Sequence, residues 1–135
     1  MKRFTFFLLA ILFVSFAGFS KPKHRVVVHL NTADTTAWHG VVRNVGNLQT
    51  ALGVDTQIEV VAHGAGISFL IDSKTTQKAK IEELALSGVK FMACENTIRD
   101  RKIDRKTILP IANFVPSGVA EIVLKQEEGW SYLKP

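Results

Sequence analysis

The chain has 135 residues and a formal net charge of +5 at pH 7, and Lys2 and Arg3 supply two of its positive charges before the first acidic residue. The rest of the chain is therefore only mildly basic, with no block of five like charges and no interleaving of basic and aromatic residues. These features argue against nucleic-acid binding. The single cysteine, Cys94, excludes an internal disulfide and a zinc site built on paired cysteines.

Residues 1–20 have the pattern of a secretory signal peptide. A short positive start precedes an uncharged apolar run at residues 4–19, and small residues come before the next charge. A retained membrane anchor is the alternative, because the run is only slightly too short to span a bilayer. The small residues favour cleavage, after Ala17 or Ser20. We therefore expect a periplasmic protein without membrane attachment after cleavage, whose single domain covers residues 21–135.

Beyond this segment, apolar runs alternate with amphipathic segments. The first half predicts a strand at 25–30, a helix from a cap at 34–36 to Leu52, a strand at 57–62 and a single helical turn or packed loop at 67–71. The second half predicts a helix at 73–88, a strand at 89–93, a polar helix at 96–106, a strand at 111–115, a helix from Pro116 to Gly129 and a last strand at 130–133. This alternation predicts an α/β domain with a mainly parallel sheet and helices on both faces.

Polar residues follow the first three predicted strands, where ligands gather in parallel sheets. They are Asn31 after the first strand, His63 and Gly64 after the second, and Cys94, Asn96 and Thr97 after the third. If the first and third strands are neighbours, these loops meet around the thiol. We therefore predict a site in which Cys94 is the reactive group and the other five residues support it or bind a ligand.

Cys94 lies where an apolar strand runs into a basic helix. A thiol at a helix N-terminus tends to ionise, and the thiolate is the reactive form. We expect Glu95 or Asn96 to cap this helix and the thiol to lie exposed in its loop. Positive potential is expected from three downstream residues, Arg99, Arg101 and Lys102. The alternative interpretation is a small buried hydrophobic residue, as most free cysteines are.

Other motifs give weaker signals. His63 is a potential base or hydrogen-bond partner of the sulfur, although a histidine after a strand is more commonly a capping residue. The sequence Gly64-Ala65-Gly66 begins like a dinucleotide-binding loop, but Phe69 stands where the third glycine belongs. The four histidines lack the i, i+4 spacing of metal ligands. The residues therefore predict no metal site and no nucleotide site.

Four segments resemble the DsrE/DsrF-like family, specifically its exported single-domain branch. They are His29-Leu30-Asn31, Val61-Ala62-His63-Gly64, residues 91–97 (FMACENT) and residues 115–123 (VPSGVAEIV). The resemblance covers essentially the whole region after the signal peptide, and the last two segments are the more specific. It implies a three-layer flavodoxin-like α/β fold with about five strands, often assembled as homo-oligomeric trimers or hexamers.

The best understood members of this family relay sulfur as a persulfide on a cysteine at the position that Cys94 matches. The resemblance therefore implies a periplasmic, cysteine-dependent sulfur carrier or sulfurtransferase-like protein that requires no cofactor. Its partners would be a sulfur donor and an acceptor thiol, on a protein or on a small sulfur compound. The signal sequence departs from the cytoplasmic members, so their pathways are not carried over. Two alternatives stay open: a non-enzymatic module that binds a small ligand or a partner, and a thiol redox sensor.

Overall fold

The computed structural model describes residues 24–135. The predicted signal peptide at residues 1–20 lies outside this described part of the chain. Within residues 24–135, no helix is long and apolar enough to cross a membrane.

The described residues form five strands that alternate with helices. In chain order the elements are β1 (Arg25–Leu30), α1 (Thr35–Leu52), β2 (Gln57–Ala62), α2 (Lys78–Leu86), β3 (Lys90–Cys94), α3 (Glu95–Asp100), β4 (Asn113–Val115), α4 (Gly118–Glu127) and β5 (Ser131–Leu133). Short 3₁₀ helices lie at Gly64–Leu70 and Arg105–Thr107. The strands form one parallel sheet in the order β4-β3-β2-β1-β5. The predicted α/β class and parallel sheet are confirmed.

The strand order places helices on both faces of the sheet. Strands β1 to β4 are added one after another in one direction, whereas β5 returns to the other side of β1. Because parallel crossovers are right-handed, this return places α4 on the face opposite the other helices. The packing agrees, since Ile122 of α4 contacts Val27 and Val61 in a small separate cluster.

The main core lies on the other face, under α1, α2 and α3. It takes alternate side chains of each strand, because successive strand residues point to opposite faces. Val28, Val60 and Phe91 are completely buried there, against Trp38 of α1 and Phe69 of the first 3₁₀ helix. Each such side chain contributes about 1.5–3 kcal/mol to the free energy of unfolding.

Helices α3 and α4 leave the carboxyl edge of the sheet toward opposite faces. Strand β3 leads into α3 on the main-core face, and its neighbour β4 leads into α4 on the other face. Ligands bind in the crevice that such a divergence creates in parallel α/β sheets. The first and third strands are not neighbours, because β2 lies between them. The crevice therefore lies between β3 and β4.

The helix predicted at 73–88 is shorter and begins at Lys78. The N–H of Asp72 donates to the carbonyl of Thr107, which holds the residues before α2 against the second 3₁₀ helix. The Thr75 hydroxyl then accepts a hydrogen bond from the N–H of Gln77. Such local side-chain bonds compete with helix formation, so the helix starts only after them.

The bounds of α3, β3 and β4 also differ from the predicted ones. The helix predicted at 96–106 ends at Asp100, and Lys102 then adopts a left-handed conformation with φ 52°. Strand β3 extends one residue further than predicted, to Cys94, while β4 begins two residues later, at Asn113. Because β3 is longer than predicted, Cys94 is part of the sheet.

Candidate functional site

Cys94 is at once the last residue of β3 and the N-cap of α3. It pairs with Val115 of β4 in the parallel ladder, directly below the crevice. Its side chain is only 4% exposed. The expectation of an exposed loop position is therefore wrong, because the ladder continues through Cys94 and the first turns of α3 and α4 contact its sulfur.

Two backbone N–H groups donate hydrogen bonds to the Cys94 sulfur. The nitrogen of Thr97 lies 3.4 Å from Sγ, and the nitrogen of Gly118 lies 3.2 Å from it. Thr97 belongs to the first turn of α3, and Gly118 is the first residue of α4. The sulfur is thus held between the beginnings of two helices, and it caps α3 itself in place of the predicted Glu95 or Asn96.

Gly118 permits this close approach because it has no side chain. A Cβ at this position would lie 2.8 Å from the Cβ of His63 and 3.3 Å from the Cβ of Cys94. The first of these contacts is too short for real carbon atoms. A glycine here therefore brings the start of α4 against the ends of both β2 and β3.

The pKa of the Cys94 thiol is lowered from its ordinary value. Burial alone raises this pKa, because it disfavours the charged thiolate. Together, the Thr97 side chain and the nearby backbone N–H groups of Gly118, Thr97 and Asn96 lower this pKa by more than burial raises it. The thiolate is therefore favoured by oriented hydrogen-bond donors.

The expected contribution of the basic residues is wrong. Within the described residues, none of Arg99, Arg101 and Lys102 is among the groups that lower the pKa of the thiol. All three are exposed, where water and salt screen their charges. Arg99 lies 3.3 Å from Asp100 and donates to Oδ1 of Asn96 at 2.9 Å, so a neighbouring carboxylate offsets its charge.

Thr97, Gly64 and Asn96 join the three loops to one another. The N–H of Gly64 donates to Oγ1 of Thr97 at 2.9 Å, which ties the loop after β2 to α3. The N–H of Asn96 donates to the carbonyl of Pro116 at 3.2 Å, which ties α3 to the loop before α4. The structure therefore brings these three predicted residues together around Cys94, with Thr97 acting through both its side chain and its backbone.

His63 lies level with Cys94 at the end of the neighbouring strand, since the residues that precede them pair in the ladder. Its Nε2 is 2.6 Å from Nε2 of His29 in β1. On the other side of that ring, Nδ1 of His29 is 2.7 Å from the hydroxyl of Tyr132 in β5. We call these three side chains the histidine–tyrosine chain. It runs across the sheet from β2 to β5 beside the thiol.

Sequence reasoning missed Gly118, His29 and Tyr132. The sequence places His29 inside a strand, but the alternation of the strand puts its side chain on the α4 face together with Val27. His29 and Gly118 also fall within the segments that resemble the family. No such signal exists for Tyr132, whose partner His29 is 103 residues away along the chain.

Asn31 is the predicted site residue that the structure does not bring to the thiol. It is exposed at the end of β1, and β2 lies between β1 and β3.

The glycine at position 66 has a packing role rather than a nucleotide-binding one, because a Cβ there would lie 2.3 Å from the carbonyl oxygen of Leu30. Within residues 24–135, no group of three or more histidine, cysteine, aspartate or glutamate residues is arranged to hold a metal ion.

Comparison with known proteins identifies the family. The model of the DsrE/DsrF-like family matches residues 23–135. A similar solved structure is that of the protein of unknown function MTH1491 from Methanobacterium thermoautotrophicum. It has 37% sequence identity and a TM-score of 0.79, and the match covers 83% of this chain and 99% of that one. None of the curated proteins matches the sequence. The chain therefore belongs to the DsrE/DsrF-like family, which is associated with sulfur relay.

Proposed function

We propose that the protein is a sulfur carrier that holds sulfane sulfur as a persulfide on Cys94. The observation that carries this proposal is the pair of backbone N–H groups, of Thr97 and Gly118, that donate to the cysteine sulfur at 3.4 and 3.2 Å. They stabilise negative charge on sulfur, and no cation of residues 24–135 is among the groups that lower the pKa of the thiol. A low-pKa thiolate is the form that attacks sulfur electrophiles.

The chemistry is an exchange between sulfur atoms. The Cys94 thiolate attacks the outer sulfur of a donor persulfide R–S–SH, the donor S–S bond breaks, and its electron pair leaves with R–S⁻. An acceptor thiolate then attacks the outer sulfur of Cys94–S–SH and takes it as R′–S–SH, which returns Cys94 to the thiolate. The donor persulfide is reduced to a thiolate and the acceptor thiolate is oxidised to a persulfide, so the exchange needs no outside oxidant or reductant.

The burial of Cys94 restricts which donors reach it. With 4% of the side chain exposed, the sulfur is accessible only to the narrow end of a molecule. An inorganic polysulfide or the terminal persulfide of an extended chain fits this requirement better than a branched thiol.

The location and the assembly of the protein are part of the same proposal. Export rests on the sequence pattern of residues 1–20, and assembly into a trimer or hexamer rests on the family. Support for assembly comes from α4, whose outer face exposes Val119, Val123 and Leu124 by 57%, 52% and 51%. Contiguous exposed apolar side chains of this kind mark protein–protein contacts.

Mass spectrometry of the protein after incubation with polysulfide tests the function. We expect a gain of one sulfur atom at Cys94 in the wild type and no gain in Cys94→Ser. Because one sulfur atom and two oxygen atoms have nearly the same mass, each adduct is then treated with excess thiol. This treatment removes the outer sulfur of a persulfide but leaves a sulfinic acid unchanged.

The other outcomes contradict the carrier. An adduct that survives thiol treatment, or adducts of single oxygen atoms after exposure to peroxide alone, would identify a redox sensor. A thiol that stays unmodified under every condition would leave Cys94 as a structural residue of a binding module.

A further inference from the structure

The histidine–tyrosine chain connects the sulfur site with the surface. His29 and His63 are half-buried, whereas Tyr132 is 45% exposed. His63 is the inner end, because its Cβ adjoins the position of Gly118, whose N–H donates to the Cys94 sulfur. Tyr132 is the outer end, on the edge strand β5.

The two imidazole rings are joined end to end. Their planes differ by 18°, and their centroids are 4.8 Å apart. Rings stacked face to face could not place the two Nε2 atoms 2.6 Å apart at that centroid separation, whereas rings lying end to end in a common plane do. The contact is therefore a nearly linear N–H···N hydrogen bond, and only one of the two Nε2 atoms carries a proton.

Two arrangements of protons satisfy the whole chain. In the first, Nε2–H of His63 donates to His29, and Nδ1–H of His29 donates to the Tyr132 oxygen. In the second, the Tyr132 hydroxyl donates to Nδ1 of His29, and Nε2–H of His29 donates to His63, whose Nδ1 then carries a proton. Both arrangements are neutral and contain the same number of protons, and they differ in whether Nδ1 of His63 is protonated.

We propose that His63, His29 and Tyr132 form a proton wire that serves the two sulfur-transfer steps at Cys94. This inference rests on the proposed function, and it assigns His63 as the group that exchanges a proton with donor and acceptor. His29 and Tyr132 act through His63. Since His29 occupies Nε2 of His63, Nδ1 is the ring nitrogen left for the sulfur compounds.

The proton balance of loading and unloading fits such a wire. In loading, Cys94–S⁻ takes the outer sulfur of R–S–SH, and the departing R–S⁻ takes the proton from Nδ1 of His63 to become R–SH. The wire changes from its second arrangement to its first as Tyr132 takes up a proton from solvent.

In unloading, R′–SH gives its proton to Nδ1 of His63, and R′–S⁻ removes the outer sulfur from Cys94. The wire returns to its second arrangement and releases a proton at Tyr132.

The charges around the wire keep it neutral. Burial lowers the pKa of His29, and the neighbouring charges of His63 and Lys134 lower it further. Burial and then Lys134 likewise lower the pKa of His63. The Cys94 thiolate and the Tyr132 hydroxyl also lie next to the two rings. Both imidazoles are therefore neutral at neutral pH, as both arrangements require.

The test measures sulfur transfer from loaded Cys94 to two small acceptor thiols. One is an alkyl thiol of ordinary pKa, which must lose a proton, and the other is an aromatic thiol of low pKa that is already ionised. The variants are Tyr132→Phe, which removes only the hydroxyl of an exposed side chain, and His29→Gln, whose amide forms hydrogen bonds but does not relay protons. Both leave Cys94 and its N–H donors in place.

We expect transfer to the alkyl thiol to slow by about 100-fold in His29→Gln, the lower end of the range of general acid–base catalysis, and by less in Tyr132→Phe, where solvent can replace the hydroxyl. Transfer to the ionised thiol should keep the wild-type rate. Equal slowing with both acceptors would show a merely structural role and overturn the wire, as would wild-type rates with the alkyl thiol. A wild type that never loads sulfur would refute the proposed function instead.

Discussion

The N–H of Gly118 donates a hydrogen bond to the sulfur of Cys94 over 3.2 Å, across 24 residues of sequence. It joins the start of α4 to the end of β3. At this edge, β3 and β4 lead into helices on opposite faces of the sheet. A backbone donor is fixed in place by the helix that it begins, so it favours the thiolate without the entropy cost of ordering a long side chain.

The contribution of this donor can be tested with two substitutions. Gly118→Ala adds the Cβ that approaches His63 but keeps the N–H, whereas Gly118→Pro adds a Cβ, removes the N–H and places its Cδ on the side of the sulfur. Proline is tolerated at the first position of a helix, and Ser117 before it has the extended conformation that proline requires.

We expect the pKa of Cys94 to be higher in Gly118→Pro than in Gly118→Ala. The rate of sulfur loading at neutral pH should be about 10-fold lower in the proline variant, since a hydrogen bond to a charged group is worth about 1.5–3 kcal/mol. Alkylation rate measured against pH reports the pKa in each variant. Equal midpoints in the two variants would show that this N–H does not stabilise the thiolate.

Thr97 supports the thiolate and also the loop after β2. We expect Thr97→Val to raise the pKa of Cys94, because the hydroxyl that favours the thiolate is lost. The half-buried N–H of Gly64 also loses its acceptor, which should lower the free energy of unfolding by about 0.5–1.5 kcal/mol. Urea denaturation and thiol alkylation measure the two effects.

Thr97→Ser is the matched control, because it keeps the hydroxyl and removes only a methyl group. It should retain most of the stability and the low pKa. If the serine variant behaved like the valine variant, the hydroxyl would not be the group that matters at this position.

Glu59 gives the stability of the protein a pH dependence. It is 2% exposed beneath α4, and within the described residues its Oε1 has no hydrogen-bond partner. Burial, followed by a hydrogen bond with Glu121, raises the pKa of Glu59 to about 7 from 4.5, although Lys125 opposes the shift. Below pH 4.5 both folded and unfolded chains bind this proton, whereas between pH 4.5 and about 7 only the folded chain holds it.

The stability that this proton supplies is therefore complete below pH 4.5 and is lost as the pH rises through about 7. The loss amounts to at most roughly 3 kcal/mol. Glu59→Gln should remove it, so the free energy of unfolding of this variant should fall less over the same pH range. Identical pH profiles for the wild type and Glu59→Gln would contradict the buried protonated carboxyl.

The outer face of α4 provides a test of assembly. We expect Val123→Glu to shift the protein from oligomer to monomer in light scattering at micromolar concentration, because it places a charge in the exposed apolar face. Leu86→Glu is the control, since Leu86 is 91% exposed at the end of α2. A wild type that is monomeric, or an oligomer unaffected by Val123→Glu, would rule out this contact.

Much of the fold follows from local sequence pattern. The bounds of β1 and β2 match the prediction because β-branched residues mark a buried parallel strand without help from the rest of the chain. The placement of Cys94 between a strand and a helix follows in the same way. Its burial does not, since it depends on the pairing of Cys94 with Val115, 21 residues later.

The remainder of the site depends on contacts between distant segments. The sequence predicts His63 beside the thiol because both follow strands, but it does not reveal that His29 and Tyr132 continue the chain across the sheet. The wrong role for Arg99 arises because charge is visible in a sequence, whereas the exposure of a side chain and its ionic partners are not. Asn31 was expected near Cys94 on the condition that β1 and β3 are neighbours, and the actual strand order separates them.

The central claim is tested most directly by following one labelled sulfur atom through the protein. The wild type is loaded with isotopically labelled polysulfide, freed of unbound donor, and mixed with an acceptor thiol in a single turnover. We predict that Cys94 carries one labelled atom per chain and that the label appears on the acceptor as the protein returns to its unloaded mass. Label that stays on the protein, or that reaches the acceptor equally well with Cys94→Ser, would contradict a carrier role for Cys94.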